Sequence, residues 1–471
     1  MTPHNPCGDT FCNFYRKTHV YCSYMNIKIK KGLDIKLAGA VDPAAKVVAS
    51  ASAPRSVAVT PDDFPGFTPK PEVREGDAVK AGSPLLRDKN DENVKIVSPV
   101  AGRVAGVVRG ERRKIERVVV EPDGTDAALG FKNSGVYSRE AAIALLASTG
   151  MLARMRRRPY GIVPRTDETP RDIFITALDT APLAVSMTLA VDGHKAELEA
   201  AVKLLSELTP GKIYLSVGKD WTMGSVAGAE MVTVEGPHPS GNVGVQIANI
   251  APINKGDIVW TLDVITLYKI GIVVTKGIVD FSTIVAVTGS EVKEPALVKT
   301  VEGAQISSIV DGRLADSAHH IRIISGNVLT GTAVASDDYL HFPYRQITVI
   351  PEGDDVEEFM GWASMSPSKQ STSRTFPGHF LGRAFAPDAR ILGGRRAMIM
   401  SGEYDKVLPM DIMPEYLLKA IIGRNIEEME KLGIYEVIPE DLALCEYVDT
   451  SKIPVQQILQ EGIDYMRKEL E

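Results

Sequence analysis

"VREGDAVKAGSPLLRDKNDENVKIVSPVAGRV", residues 73–104, is the stretch that decides the fold of the first part of this chain. Short apolar runs alternate here with turn residues. Gly76 and Asp77 form one turn signal, Gly82 precedes a second apolar run, and "SPVAG" at 98–102 leads into a third. Runs of this length bounded by Gly, Pro and Asp predict short β-strands joined by tight turns. The stretch therefore predicts a small β-sandwich or barrel.

The same pattern extends over residues 25–124 and predicts a barrel-sandwich hybrid domain of the biotinyl/lipoyl type. In carriers with this fold, a lysine at the tip of a hairpin holds a swinging cofactor, and Lys89 is the candidate here. The connection "RDKNDENVK" at 87–95 is longer than the tight, symmetric tip that a carrier lysine needs. We therefore favour a solvated loop, and a carrier protein that uses Lys89 is the alternative function.

Residues 125–256 carry the alternation of an α/β domain. The helix signal "HKAELEAAVKLLSEL" at 194–208 lies between the strand signals "RDIFITAL" at 171–178 and "KIYLSVG" at 212–218. A strand, a helix and a second strand at these lengths predict a parallel, Rossmann-like sheet. No G-x-G-x-x-G joins a strand to a helix in this segment, so we expect no bound dinucleotide or flavin.

Three further segments follow the α/β pattern. Strand signals around a short helix over 257–335 predict a β-grasp module. Residues 336–410 predict returning strands and a polar loop, with "EFMGWASM" at 358–365 as one strand, and 411–471 predict a helical C-terminal region. The predicted fold class is multidomain α/β and β.

The composition excludes some functions. The 471 residues carry a net charge of -7, which gives no global attraction to nucleic acid. The most continuous apolar run, Ile258 to Val274, contains Asp263 and Lys269, both costly at the centre of a bilayer. We predict no transmembrane helix and no nucleic-acid partner.

The first 24 residues lack the apolar core of a secretory signal, and we expect them to be a disordered N-terminal extension, with a start codon set too early as one origin. The alternative is a redox or metal arm built from two histidines and three cysteines, His4, Cys7, Cys12, His19 and Cys22. None of these residues has the spacing of a zinc or iron-sulfur motif.

The loop "EGPHPSGNVG" at 235–244 is the strongest candidate for a functional site. Two prolines fix the backbone around Gly236, Pro237, His238 and Pro239, which predicts a histidine displayed on a rigid loop. Such a histidine can donate a hydrogen bond to a quinone carbonyl or move a proton. The alternative is a structural turn packed against a neighbouring domain.

Other charged and histidine-containing motifs predict no site. Arg156 to Arg158 and Gly110 to Lys114 form local basic patches, which we interpret as solvated surface, with acidic partners or anionic lipid as the alternative. Four further histidines lack partner ligands at helical or strand spacing and predict no metal site: His319, His320, His341 and His379. We identify no catalytic, cofactor-binding or metal-binding set.

Taken in order from Met25 onward, many segments resemble one known family, the A subunit of the sodium-translocating NADH:quinone oxidoreductase of bacterial membranes. The segments are "IKIKKGLDIKLAG", "SPVAGRV", "RGERRKIERVVVE", "ALDTAPLA", "GKIYLSVG", "EGPHPSGNVG", "LVKTVEGAQ", "RIISGNVLTGT", "FMGWA", "GEYDKVLPMDIMPEYLLKAI" and "LGIYEVIPEDLALCEYV". Each is weak alone, and their shared order and spacing carry the resemblance.

The resemblance implies a peripheral subunit on the cytoplasmic side of the bacterial inner membrane, near the quinone-reducing end of a translocase. That complex couples NADH oxidation and quinone reduction to sodium export. Flavins and iron-sulfur centres are then expected in partner subunits, and quinone is a possible ligand of this chain. The β-grasp module is implied to be of the soluble-ligand-binding (SLBB) type. A cluster in this chain is excluded by ligand count, because Cys445 stands alone with Asp449 where relatives have a second cysteine. A soluble ligand-binding adaptor is the further alternative.

Overall fold

The computed structural model describes residues 25–42, 48–132, 135, 137–357, 360, 367, 369, 371–372 and 376–470. The predicted N-terminal extension, and the predicted strand at 358–365 apart from Met360, lie outside these residues. Within the described ranges, no helix combines the length and the apolarity needed to cross a membrane.

The strands of the described residues are numbered β1 to β19 and the α-helices α1 to α11, each in chain order. The strands are β1 Met25–Lys28, β2 Val48–Ser50, β3 Val57–Val59, β4 Pro69–Pro71, β5 Ala78–Val79, β6 Pro84–Asp88, β7 Lys95–Val97, β8 Gly102–Arg109, β9 Ile115–Pro122, β10 Arg156–Arg158, β11 Ile173–Thr176, β12 Ile213–Val217, β13 Glu230–Glu235, β14 Val259–Asp263, β15 Ser282–Thr288, β16 Ala296–Val301, β17 Ile321–Ser325, β18 Thr332–Val334 and β19 Gln346–Pro351. The helices are α1 Arg139–Ser148, α2 Thr188–Val191, α3 Lys195–Leu205, α4 Val243–Ile250, α5 Val264–Lys276, α6 Ile306–Val310, α7 Tyr404–Val407, α8 Pro414–Ile422, α9 Ile426–Lys431, α10 Ala443–Val448 and α11 Val455–Leu470.

The first part of the chain forms two small sheets with the strand orders β3-β9-β8-β5 and β4-β6-β7. Their strands are paired antiparallel. Alternating apolar positions such as Leu85, Val104 and Val118 face inward and are fully or almost fully buried. The result is the small, turn-rich β-sandwich that the opening stretch predicted.

The α/β part is a six-stranded sheet with the order β1-β13-β12-β11-β14-β10. The first five strands are parallel, and β10 is an antiparallel edge. Ile173 and Ile175 of β11 belong to the core shared with α3 and α5, whereas Phe174 points to the core shared with α4 and the C-terminal helices. The sheet is therefore covered on both faces, which explains its nearly continuous apolar strands.

Two predicted boundaries differ from the structure. We expected the first strand, which begins at Met25, in the barrel-sandwich domain, but β1 pairs in parallel with β13 of the α/β sheet. We expected residue 257 to open the β-grasp module, but β14 lies beside β11, and α5 packs on α3. The strand sequence "VWTLD" suits that position, because its first four residues are buried between two helical layers.

The next sheet has the order β18-β17-β19-β15-β16-β2 and packs on α6. A hairpin, β15 and β16, is followed by α6 and by three further strands. β19, which we predicted as a returning strand beyond residue 335, lies at the centre, parallel to β15 and antiparallel to β17. The module therefore extends to Pro351, and β2 from the N-terminal side adds an edge strand.

The C-terminal helices close the second face of the α/β sheet. α8 and α11 pack closely, with Gly462 of α11 against Ile421 of α8. Leu417, Leu459 and Phe174 share one apolar core. The C-terminal region thereby brings the turn at Pro439–Leu442 against the sheet.

Candidate functional site

The main cavity lies where the α/β sheet, the β17–β19 module and the C-terminal region meet, and it has a volume of about 340 Å³. It opens at the carboxyl ends of β11 and β14, next to Asp179 and Asp263. β12 and β13 lie on one side of β11 and β14 lies on the other, so the strand order reverses at this point. Crevices at such reversals are the usual ligand sites of open α/β sheets.

Arginines on and just before β10 form one wall of the cavity: Arg154, Arg156 and Arg158. Arg156 and Arg158 are two residues apart on a strand and share a face. Arg157 turns the other way and pairs with Glu168 at 3.2 Å. The prediction of a solvated patch was wrong for Arg156 to Arg158, because neighbouring domains cover most of this edge strand. In the other predicted patch, the residues from Glu111 to Lys114 are exposed, as expected.

Each of two buried pairs connects the α/β part to another region. Arg154 bonds Glu302 at 2.6 Å, and Lys269 of α5 bonds the same carboxylate. Arg158 bonds Asp441 at 2.7 Å, with side chains only 1% and 0% exposed. Buried pairs of this kind fix geometry more than they add stability. The two pairs therefore fix the relative positions of the three parts of the chain that surround the cavity.

Carboxyl groups at the cavity have shifted pKa values. Burial opposes the ionisation of Asp263, yet Arg345 at 2.6 Å and the backbone N–H of Thr266 lower its pKa overall. Desolvation raises the pKa of Asp179, but this residue is exposed, so water moderates the upward shift. Burial and the nearby Asp441 raise the pKa of Glu440 to about 7. The side chain of Glu440 is nevertheless 44% exposed, and water there moderates this upward shift.

His238 is buried rather than displayed, with 4% of its surface exposed. Its Nδ1 lies 3.2 Å from the Thr180 hydroxyl, and its backbone N–H donates to Asp34 at 2.9 Å. Burial lowers the pKa of His238 to about 4, although Asp34 acts in the opposite direction. The imidazole is therefore neutral at pH 7, and it lines the cavity.

The other members of the predicted loop site do not line the cavity. Gly236 adopts φ of 151°, and a Cβ there would lie 2.6 Å from the carbonyl oxygen of Ile29, so only glycine fits. Pro237 and Pro239 flank the histidine as predicted. The loop is thus a packed turn that also contributes one side chain to the cavity. Its role in quinone binding stays a prediction.

Lys89 is exposed in the connection between β6 and β7. Two residues further on, the Asp91 carboxylate accepts hydrogen bonds from the backbone N–H and the hydroxyl of Thr166, at 2.8 and 2.7 Å. The tip is therefore attached to the α/β part. A swinging carrier arm needs a free tip, and this contact argues against that alternative.

The neighbouring histidines His319 and His320 lie on the surface beside acidic residues, and Cys445 lies in the core. His320 lies 3.1 Å from Asp354, and His319 lies 3.2 Å from Asp355. Ligand atoms of His320, Asp354 and Asp355 lie within 4.8 Å of one another on the exposed surface, and exposed acidic groups are common without a metal. The absence of a metal site stays a prediction. Cys445 is buried, which raises the pKa of its thiol and keeps it protonated.

Sequence reasoning found His238 but missed most of the cavity, including Asp179, Asp263, Arg345 and Glu440. One signal was available. The strand segments "IFITALD" and "VWTLD" both end near an aspartate, and the carboxyl ends of adjacent parallel strands meet at one edge of a sheet. Arg345 and Glu440 come from distant segments, and no local pattern brings them to this edge.

Comparison with known proteins identifies the protein family to which this chain is similar. Residues 27–123 match the family model described as the NqrA N-terminal barrel-sandwich hybrid domain, which confirms the predicted fold of that segment. Residues 137–279 match the NqrA second alpha/beta domain, and residues 284–336 match the NQRA C-terminal domain. The match to the second alpha/beta domain ends after α5, where the structure ends the α/β part.

Full-length relatives carry the name of the A subunit of Na(+)-translocating NADH-quinone reductase. The protein of Neisseria meningitidis serogroup B is 35% identical over 455 residues, which cover 94% of this chain and 100% of the relative. Those of Serratia proteamaculans and Pasteurella multocida are 35% and 34% identical, with the same coverage. A solved NAD+-reducing [NiFe]-hydrogenase is similar only at a TM-score of 0.40 and 11% identity, over 71% of this chain and 62% of that chain, too low to carry an argument. This chain belongs to the family formed by the A subunit of Na(+)-translocating NADH-quinone reductase.

Proposed function

We propose that this chain is the peripheral, cytoplasm-facing component of the quinone-reducing end of a sodium-translocating NADH-quinone reductase, and that its main cavity binds the quinone. The observation that carries the proposal is the composition of that cavity. Its lining combines polar and cationic groups, among them Arg156 and His238, with apolar side chains such as Leu189, Leu297 and Leu329.

This composition suits an amphipathic ligand. The two carbonyl oxygens of a quinone accept hydrogen bonds, which the Arg156 guanidinium or the neutral His238 imidazole can donate. A prenyl tail favours contact with the apolar side chains, because burial of apolar surface drives binding. The volume of about 340 Å³ is within the range of small-ligand sites.

The electrons are proposed to come from partner subunits. An iron-sulfur cluster needs thiolate ligands, and burial keeps the Cys445 thiol protonated. The β11 connection places Asp179 and Thr180 where a dinucleotide site has glycines for close backbone approach. We therefore propose that this chain binds and orients quinone, whereas flavins and iron-sulfur centres belong to the partners.

The test is to fill the cavity. Ala181 lines it, so Ala181→Trp should lower the affinity for ubiquinone-1 by at least about tenfold in isothermal titration calorimetry, a loss that corresponds to about 1.4 kcal/mol. Ala227 is exposed and lies outside the cavity, so Ala227→Trp is the matched control and should bind like the wild type.

The same pair should be measured in the assembled complex. Ala181→Trp should slow quinone reduction while NADH oxidation by an artificial acceptor persists. Unchanged ubiquinone-1 binding in the filled cavity, or no binding to the wild type, would overturn the proposal. Equal loss of both activities would show that assembly failed, and the calorimetric result on the isolated chain would then decide.

A further inference from the structure

The backbone of His238 is held on both sides by one short segment, residues 32–34. Its N–H donates to the Asp34 carboxylate at 2.9 Å, and its carbonyl oxygen accepts from the Leu33 N–H at 2.8 Å. A Cβ at Gly32 would lie 2.2 Å from that same carbonyl oxygen, so only glycine lets the two segments approach this closely. These contacts fix the point from which the imidazole reaches the cavity.

The connection after β11 holds the ring itself. The Thr180 hydroxyl lies 3.2 Å from Nδ1 of His238, and its oxygen accepts a hydrogen bond from the Gly241 N–H at 2.9 Å. A Cβ at Gly241 would lie 2.7 Å from the backbone nitrogen of Thr180 and 2.9 Å from its hydroxyl oxygen, so a larger residue would push these groups apart. Thr180 therefore contacts both the ring and the loop that carries it.

The hydrogen-bonding capacity of these groups decides which ring nitrogen carries the proton. A neutral imidazole has one N–H and one bare nitrogen, and a hydroxyl has a single proton to donate. The Gly241 N–H already donates to the Thr180 oxygen, and Nδ1 of His238 is the one acceptor that the described residues offer to the Thr180 proton. The opposite tautomer would leave that proton without an acceptor among them. The ring proton is therefore assigned to Nε2, which has no hydrogen-bond partner in the described part of the chain.

We propose that Thr180 is a positioning residue for quinone binding: it holds His238 in the tautomer whose Nε2–H donates to a carbonyl oxygen of the quinone. The inference rests on the proposed function, because it assumes that the cavity binds a quinone. The hydrogen bond at one ring nitrogen sets the protonation of the other. An Nε2–H matches a carbonyl oxygen, which only accepts. The opposite tautomer would present a bare nitrogen to the quinone, and two acceptors form no hydrogen bond.

The first test separates the two ring nitrogens by substitution. The side-chain amide of glutamine reaches the place of Nε2, whereas that of asparagine reaches only the place of Nδ1. In calorimetry on the full chain at pH 7.5, His238→Gln should bind ubiquinone-1 within about threefold of the wild type, and His238→Asn should bind it at least about fivefold more weakly, because a hydrogen bond is lost. Equal effects of the two substitutions would overturn the inference.

The second test removes the hydroxyl. Thr180→Val should weaken ubiquinone-1 binding by about three- to tenfold, whereas Thr180→Ser keeps the hydroxyl and should bind like the wild type. Thr222→Val is the matched control, because Thr222 is exposed, bonds Asp192 through its hydroxyl and does not line the cavity. It should bind like the wild type. An unchanged affinity in Thr180→Val would contradict the role of this hydroxyl.

The tautomer itself is read by ¹⁵N NMR of the chain labelled in its histidine rings, at pH 7.5. The signals of His238 are those that disappear in His238→Gln. They should show a bare Nδ1 and a protonated Nε2, and the Nε2 signal should shift when ubiquinone-1 is added. Thr180→Val should shift the Nδ1 signal, because the donor to that nitrogen is gone; a change confined to protein packing would not select this atom.

A protonated Nδ1 in the wild type, or an Nδ1 signal that Thr180→Val leaves unchanged, would overturn the inference and leave the proposed function intact. If ubiquinone-1 does not bind to the wild type, both fail. If Thr180→Val or His238→Asn does not fold, the wild-type spectrum and its response to ubiquinone-1 still decide.

Discussion

Replacing His238 with glutamine should make the protein less sensitive to acid. The imidazole is buried against Thr180, and burial lowers its pKa from an ordinary value of 6.5 to about 4. In the unfolded chain, the same ring takes up a proton near pH 6.5. Between these two values the unfolded state binds more protons, so the free energy of unfolding falls as the pH falls.

The size of the effect follows from this difference in pKa. The shift of His238 corresponds to a loss of about 3 kcal/mol once the pH is below both values. Between pH 7.5 and 5 the expected loss is about 2 kcal/mol. His238→Gln cannot titrate, so its free energy of unfolding should fall by about 2 kcal/mol less than that of the wild type over this interval.

The assay is urea unfolding at a series of pH values, followed by tryptophan fluorescence. Trp260 is fully buried in β14 of the same sheet and reports on this part of the chain. Other titrating groups are common to both proteins, so the difference between the two pH profiles isolates His238. His320→Gln is the control, because that ring is exposed and Asp354 raises its pKa, so its removal should not protect against acid. Parallel profiles for the wild type and His238→Gln would refute the argument that the buried ring is neutral.

Two further substitutions test the packing that holds the cavity together. Gly271→Ala in α5 would place a Cβ 2.2 Å from the Glu197 carbonyl oxygen of α3, and we expect it to lower the free energy of unfolding in urea by about 1 to 3 kcal/mol. The control is Gly106→Ala, which should change little because nothing lies within 4 Å of its added Cβ. Equal effects of the two substitutions would contradict the close helix contact. Arg158→Met would leave the carboxylate of Asp441 buried without its partner and should lower the free energy of unfolding by about 3 to 5 kcal/mol. The double variant that also carries Asp441→Leu should recover part of this loss. A loss under about 1 kcal/mol in Arg158→Met would show that the pair is not buried.

Much of the architecture was predictable because its signals are local. Turn residues between apolar runs identified the barrel-sandwich segment, and the 3.6-residue period of α3 and its flanking apolar strands identified a parallel α/β unit. Both patterns record which side of a single element is buried. Domain limits were harder to predict, because β1 and β14 are short strands of four and five residues, and nothing local shows which neighbouring sheet they join.

The sequence by itself determined the elements, the family and the rigid turn around His238, since short-range sterics and the order of motifs are encoded along the chain. Tertiary structure alone decided that Arg157 and Arg158 are buried, that His238 is covered, and that Arg345 and Glu440 face the same cavity. The reason is physical: the burial and charge of a side chain depend on groups that can be hundreds of residues away, as the 283 positions between Arg158 and Asp441 illustrate. A local pattern contains no information about a partner so distant.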